Sequence, residues 1–200
     1  MHGQMYLKGM KEGIPVALGY FFVSITIGIA ARLADLTPMQ AAVMSLTNLT
    51  SAGQFASFTL IASGASFVEM AISQAVINLR YCLMSCALSQ KIDHELPMGH
   101  RLCMAFGITD EIFGLCISQK GKLEPWYMYG VMSVAIPGWV AGTVLGILST
   151  GVLPQPLLNA MSMALYGMFI AVFVPAARDN RILVPIIGIA MAASAAFQLL

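Results

Sequence analysis

Between Glu12 and Arg32 the chain reads GIPVALGYFFVSITIGIAA (Gly13–Ala31), a run of apolar, small and aromatic residues without a charge. At 1.5 Å of rise per residue, a helix of this length crosses a hydrocarbon layer of about 30 Å. Lys8 and Lys11 precede it, as basic residues precede a signal peptide, but no small-residue cleavage site leads into a soluble domain. Further apolar segments follow at once, so the stretch reads as a first membrane span.

The rest of the chain repeats the pattern. Leu36–Val68 is charge-free and longer than one straight span needs, with a polar middle, SLTNLTSAGQF (Ser45–Phe55). Phe67–Leu88 is apolar around Glu69, Asn78 and Arg80, and a polar loop follows, QKIDHELPMGHR (Gln90–Arg101). Leu102–Ser118 carries Asp110 and Glu111 at its centre. Pro125–Ala177 has no charge and is broken at STGVLPQP (Ser149–Pro156), and Ile182–Leu200 closes the chain. Of the 200 residues 58% are hydrophobic and 10% charged, against roughly 25% charged in a soluble domain.

These runs predict one all-α membrane domain over residues 1–200. It is a polytopic transmembrane helical bundle of about seven helices, with one or more broken. The spans fall at 14–31, 38–62, 67–88, 102–118, 126–148, 155–177 and 182–200. They are too continuous for the short alternating strands of a membrane barrel.

Orientation is read from Lys and Arg in the short loops. With alternating crossings, Lys8, Lys11, Lys120, Lys122, Arg178 and Arg181 share one side, and Arg32, Lys91 and Arg101 the other. This predicts a cytoplasmic N-terminus in the cell membrane and an external Gln90–Arg101 loop.

Several functions lack their chemistry. The net charge of +1 has no basic block to hold nucleic acid. Cys82, Cys86, Cys103 and Cys116 lack paired zinc spacing, and the methionines form no M-x-x-M run, so packing is expected and neither metal nor cofactor. His94-Glu95 is followed by His100, the wrong spacing for H-E-x-x-H, and no G-x-S-x-G elbow exists. An enzyme is not expected.

Charge inside a span costs on the order of 3 kcal/mol per residue, so Arg80, Asp110 and Glu111 are the first site candidates. Arg80 precedes one end of its apolar run by as much as Asp110 follows the start of the next. In antiparallel helices both would lie about 12 Å below one surface, as an ion pair. Adjacent on a helix, Asp110 and Glu111 point about 100° apart, which leaves the second carboxylate to line a cavity or take up a proton. In Ser45–Phe55 the small residues around Gly53 would let the helix unwind and offer backbone groups. Asn48, Thr47 and Gln54 add neutral hydrogen-bonding groups, and Asn78 adds another on the next span. The competing structural roles are a polar seam and a locking ion pair.

At these residues the sequence resembles the AzlC-type branched-chain amino-acid permeases, the azaleucine-resistance or LIV-export family. The matching stretches are Gly13–Ala31, SAGQFAS (Ser51–Ser57), INLRY (Ile77–Tyr81) and AFGITDEIFG (Ala105–Gly114). Two departures stand out. This chain has SAGQF where family members often read GASQF, and Tyr81 where a histidine often follows the arginine, which argues against a histidine proton relay. The resemblance implies export of valine, leucine, isoleucine or methionine, assisted by a small AzlD-type membrane subunit. The second intramembrane carboxylate, Glu111 if Asp110 pairs with Arg80, is the expected point of coupling to the proton gradient. The alternative is a channel or secondary permease for another small solute.

Overall fold

The computed structural model describes residues 2–150 and a few isolated positions beyond. The expected spans at 155–177 and 182–200, with Arg178 and Arg181, lie outside the described residues. Within them the chain forms eight helices and no strand. In order these are α1 (His2–Leu33), α2 (Pro38–Thr47), α3 (Ser51–Ala62), α4 (Phe67–Ile77), α5 (Leu79–Ser89), α6 (Met98–Phe106), α7 (Asp110–Ser118) and α8 (Pro125–Ser149). Among the described residues only α1 and α8 are long and apolar enough to cross a membrane alone. The bent pair α4 and α5 reaches that length together.

Small residues make α1 and α8 the spine. They touch backbone to backbone along their length and run parallel: Gly9 lies against Tyr127, Ala17 against Gly138, Phe21 against Gly142, and Gly28 against Thr143 and Gly146. A Cβ at Gly138 would stand 2.7 Å from the Ala17 carbonyl oxygen, and one at Gly28 2.9 Å from the Gly146 Cα. Neither leaves room for a larger residue at this separation.

The first ends of α1 and α8 share a polar collar. Tyr127 OH donates to Glu12 Oε2 at 2.6 Å, and Lys8 Nζ to Gln119 Oε1 at 2.7 Å. Lys91 Nζ donates to the Ile117 carbonyl at 2.5 Å and also to that of Gln119, while Leu123 N–H donates to the Lys91 carbonyl at 2.8 Å. Lys122 reaches Asp93 at 3.2 Å, and that hydrogen bond holds the Asp93 carboxyl below its ordinary range. His100 stacks on Tyr129, and Trp126 lies against both His100 and His2.

These contacts correct the expected topology. The Gln90–Arg101 loop lies on the same side as the N-terminus, with residues 119–124, and not across the membrane from it. The expected span over 102–118 is therefore no crossing: α6 enters from the N-terminal side, the chain turns at Gly107–Thr109, and α7 returns. Each helix has nine residues, about half the length a crossing needs.

The expected span over 38–62 is also a re-entrant pair. Thr37 and Pro38 open α2 on the far side, where Thr37 forms a capping box with Gln40. Ser45, one turn before the break, meets Thr143 on α8 at 2.8 Å. After Asn48–Thr50 the chain reverses into α3. Gln54 on α3 bonds back to Ser45, and α3 pairs antiparallel with α4, where Gln74 reaches Gly53 and Ser57. The expected 67–88 span is a bent pair, α4 and α5, with a break at Asn78 and a bend of 43°. Glu69 at its start is spent on a capping box with Ser66.

Cysteine labelling tests the arrangement. Lys91→Cys and Met5→Cys should react with a membrane-impermeant reagent from one side, and Asp35→Cys from the other only. Reaction of Lys91→Cys from the side of Asp35→Cys would restore the crossing by residues 102–118.

Candidate functional site

The three breaks come together around the middle of α1 and α8. At this depth lipid offers no hydrogen bonds, so each broken end must find partners in the protein. Threonines supply two of them. Thr50 accepts from Gly53 N–H at the start of α3, and Thr109 from Ile112 N–H at the start of α7, both at 3.3 Å.

Around the first break the groups are neutral. Gln54 is fully buried; its Nε2 donates to Ser45 Oγ at 2.6 Å and its Oε1 accepts from Trp139 Nε1 at 3.0 Å. In this arrangement Gln54 fastens α3 to α2 and α8. The carbonyl of buried Gly53 accepts from Gln74 Nε2 at 2.8 Å, and a Cβ there would stand 2.7 Å from Gln74 Oε1. Asn78 donates to Gln74 Oε1 at 3.2 Å, which links the second break to the first. Asn48, half-buried, caps the end of α2 through its backbone N–H.

Around the third break the groups are charged. Arg80 Nη1 lies 2.8 Å from Asp110 Oδ2, with side-chain exposures of 36% and 23%. The Arg80 guanidinium lies over the Tyr81 ring, 5.1 Å from its centroid. Glu111 faces elsewhere: its Oε2 accepts from Tyr20 OH at 2.6 Å. The Tyr20 oxygen is also 2.5 Å from Thr109 Oγ1. A phenol has one proton, so while Tyr20 donates to Glu111 the Thr109 hydroxyl must donate to Tyr20. If Glu111 takes up a proton, the chain can reverse, with Tyr20 donating to Thr109. Tyr20 also packs edge-on against Trp139, 5.3 Å between centroids, which joins the charged group to the neutral one.

The ion pair forms by a geometry that the reading of two straight helices does not contain. Asp110 is not midway along a continuous helix; it is the first residue of α7. Arg80 sits in the first turn of α5. Both lie deep because both helices begin at a break. The sequence reading did not single out Tyr20, Gln74, Thr109 or Trp139. Tyr20 was hidden inside an apolar run, and its partners are 89 and 91 residues away.

Broken helices entering from opposite sides and meeting in a polar layer are a build used by membrane transport proteins. The chain matches the AzlC protein family over residues 15–153 and belongs to that family. It is similar to a protein described as "Uncharacterized membrane protein" from Archaeoglobus fulgidus, 28% identical over 198 residues, covering 98% of this chain and 86% of that protein. It is similar to the inner membrane protein YgaZ of Escherichia coli, 28% identical over 149 residues, 72% of this chain and 60% of that protein. A Helicobacter pylori membrane protein is 27% identical over 151 residues, 72% of this chain and 65% of that protein. The match thus spans less than two thirds of the Escherichia coli and Helicobacter pylori relatives. No solved structure matches. Family and relatives together support a membrane transport function.

Removing one member of the ion pair strands the other. Arg80→Ala should lower the thermal stability of the purified protein, by less than the ~3–5 kcal/mol of a sealed pair because Arg80 is partly exposed. Adding Asp110→Asn should restore part of the loss. A double variant less stable than Arg80→Ala alone would rule out compensation between the two charges.

Proposed function

We propose that the protein is the permease subunit of an exporter of branched-chain amino acids and methionine, driven by the proton gradient. The observation that carries the reading is the mid-depth layer where neutral amides and one ion pair adjoin broken helix ends. Asn48, Gly53, Gln54 and Asn78 form its neutral part, and Arg80, Asp110 and Glu111 its charged part. Such a layer of neutral amides and paired opposite charges suits a small solute that carries both charges.

Glu111 is the proton-coupling group in this reading, with Tyr20 and Thr109 as the hydroxyls that record its state. A small AzlD-type subunit is the partner, as the family resemblance implies. The N-terminal side is cytoplasmic. Lys8, Lys11, Lys91, Arg101, Lys120 and Lys122 lie there among the described residues, against Arg32 on the far side, a stronger asymmetry than alternating crossings would give.

Efflux of preloaded leucine from proteoliposomes, with and without a pH gradient, is the test. A carrier should saturate and show counterflow, which a channel would not. Glu111→Gln should keep leucine counterflow within about twofold while losing the response to the pH gradient, since exchange needs no net proton movement. Glu111→Gln with both activities intact would remove the coupling role.

A further inference from the structure

We infer that the Arg80–Asp110 ion pair is itself the reader of the zwitterion: an α-amino acid inserts between the two side chains, its carboxylate on the Arg80 guanidinium and its ammonium on the Asp110 carboxylate. The inference rests on the amino-acid reading above and adds how the solute is held.

The two groups belong to separate helices, α5 and α7, and each sits in the first turn after a break. They can part without unwinding a helix. The pair is not sealed by the described residues, with 36% of the Arg80 side chain and 23% of that of Asp110 exposed. The guanidinium is also under-used. Nη1 holds Asp110, Nη2 makes a long 3.4 Å contact to Tyr81 OH, and the buried Nε has no acceptor among the described residues. A buried donor without a partner is costly. A carboxylate placed across Nε and an Nη would satisfy it in the two-pronged geometry that arginine favours.

Charge balance supplies the selectivity. A zwitterion brings one charge of each sign, so it replaces the pair with both side chains still compensated. An amine satisfies Asp110 and strands Arg80, and a carboxylic acid does the reverse. Either leaves an unpaired charge in a medium that penalises it, which excludes close analogues lacking one pole.

Competition against radiolabelled leucine on the purified full chain tests this, with leucine, leucinamide and 4-methylpentanoate as probes. Leucine should compete, and each one-pole analogue should be weaker by about tenfold or more, the ratio set by one lost charged hydrogen bond. Arg80→Lys keeps a cation opposite Asp110 but loses the fork, and should weaken leucine binding by about tenfold in protein that remains monodisperse. Asp110→Asn should narrow the gap between leucine and 4-methylpentanoate. Equal competition by all three probes in the wild type overturns the inference whatever the variants do, as does unchanged leucine binding by both variants. Leucine bound through both poles but never exported would sink the export reading and leave this one standing. No binding of leucine by the wild type would overturn both.

Discussion

A helix that stops inside a membrane leaves backbone donors and acceptors that lipid cannot satisfy, and this chain stops three helices at one depth. That constraint organises the rest. The breaks at Asn48–Thr50, Asn78 and Gly107–Thr109 are tolerated because polar groups beside them bond to one another, to Tyr20 and to Trp139. Thr50 and Thr109 cap two of the new helix starts, Gln54 and Gln74 tie the first break to its neighbours, and Asp110 meets Arg80 at the third. The glycine seam between α1 and α8 makes this possible by giving the pairs a rigid, parallel spine to lean on.

The arrangement divides stability and function between two kinds of contact. Along the spine, backbone touches backbone and little can move without losing packing over a long interface. At the tips, short helices are held by a few hydrogen bonds and one ion pair, each worth about 0.5–3 kcal/mol. A solute that supplies equivalent hydrogen bonds can exchange with them at small net cost. The tips of α2–α3 and α6–α7 come from opposite sides and meet at the polar layer.

Much of the fold is legible in the sequence, and the failures have a common cause. Charge-free runs mark the membrane segments, and the polar Ser45–Phe55 stretch marks a place where a helix gives way. Arg80 and Asp110 are brought within 2.8 Å, yet by two breaks and not by equal depths along straight helices. Hydropathy cannot separate an apolar segment that crosses from one that turns back. The deciding contacts, Lys91 to the Ile117 and Gln119 carbonyls, join residues 26 and 28 apart through atoms that carry no composition signal. Once α6–α7 is seen to turn, Lys91 and Arg101 change sides and the charge asymmetry sharpens. Tyr20 and Trp139 look like ordinary membrane aromatics until their partners are known.

The polar layer depends on both ends of α6–α7 lying on one side of the membrane. Spin labels at Asp93→Cys and Lys120→Cys in the lipid-reconstituted protein measure it directly by pulsed dipolar spectroscopy. The expected separation is under about 20 Å, since Lys122 touches Asp93 at 3.2 Å and the labels add only their own linkers. A distance of about 30 Å or more, the thickness of the hydrocarbon core, would contradict it.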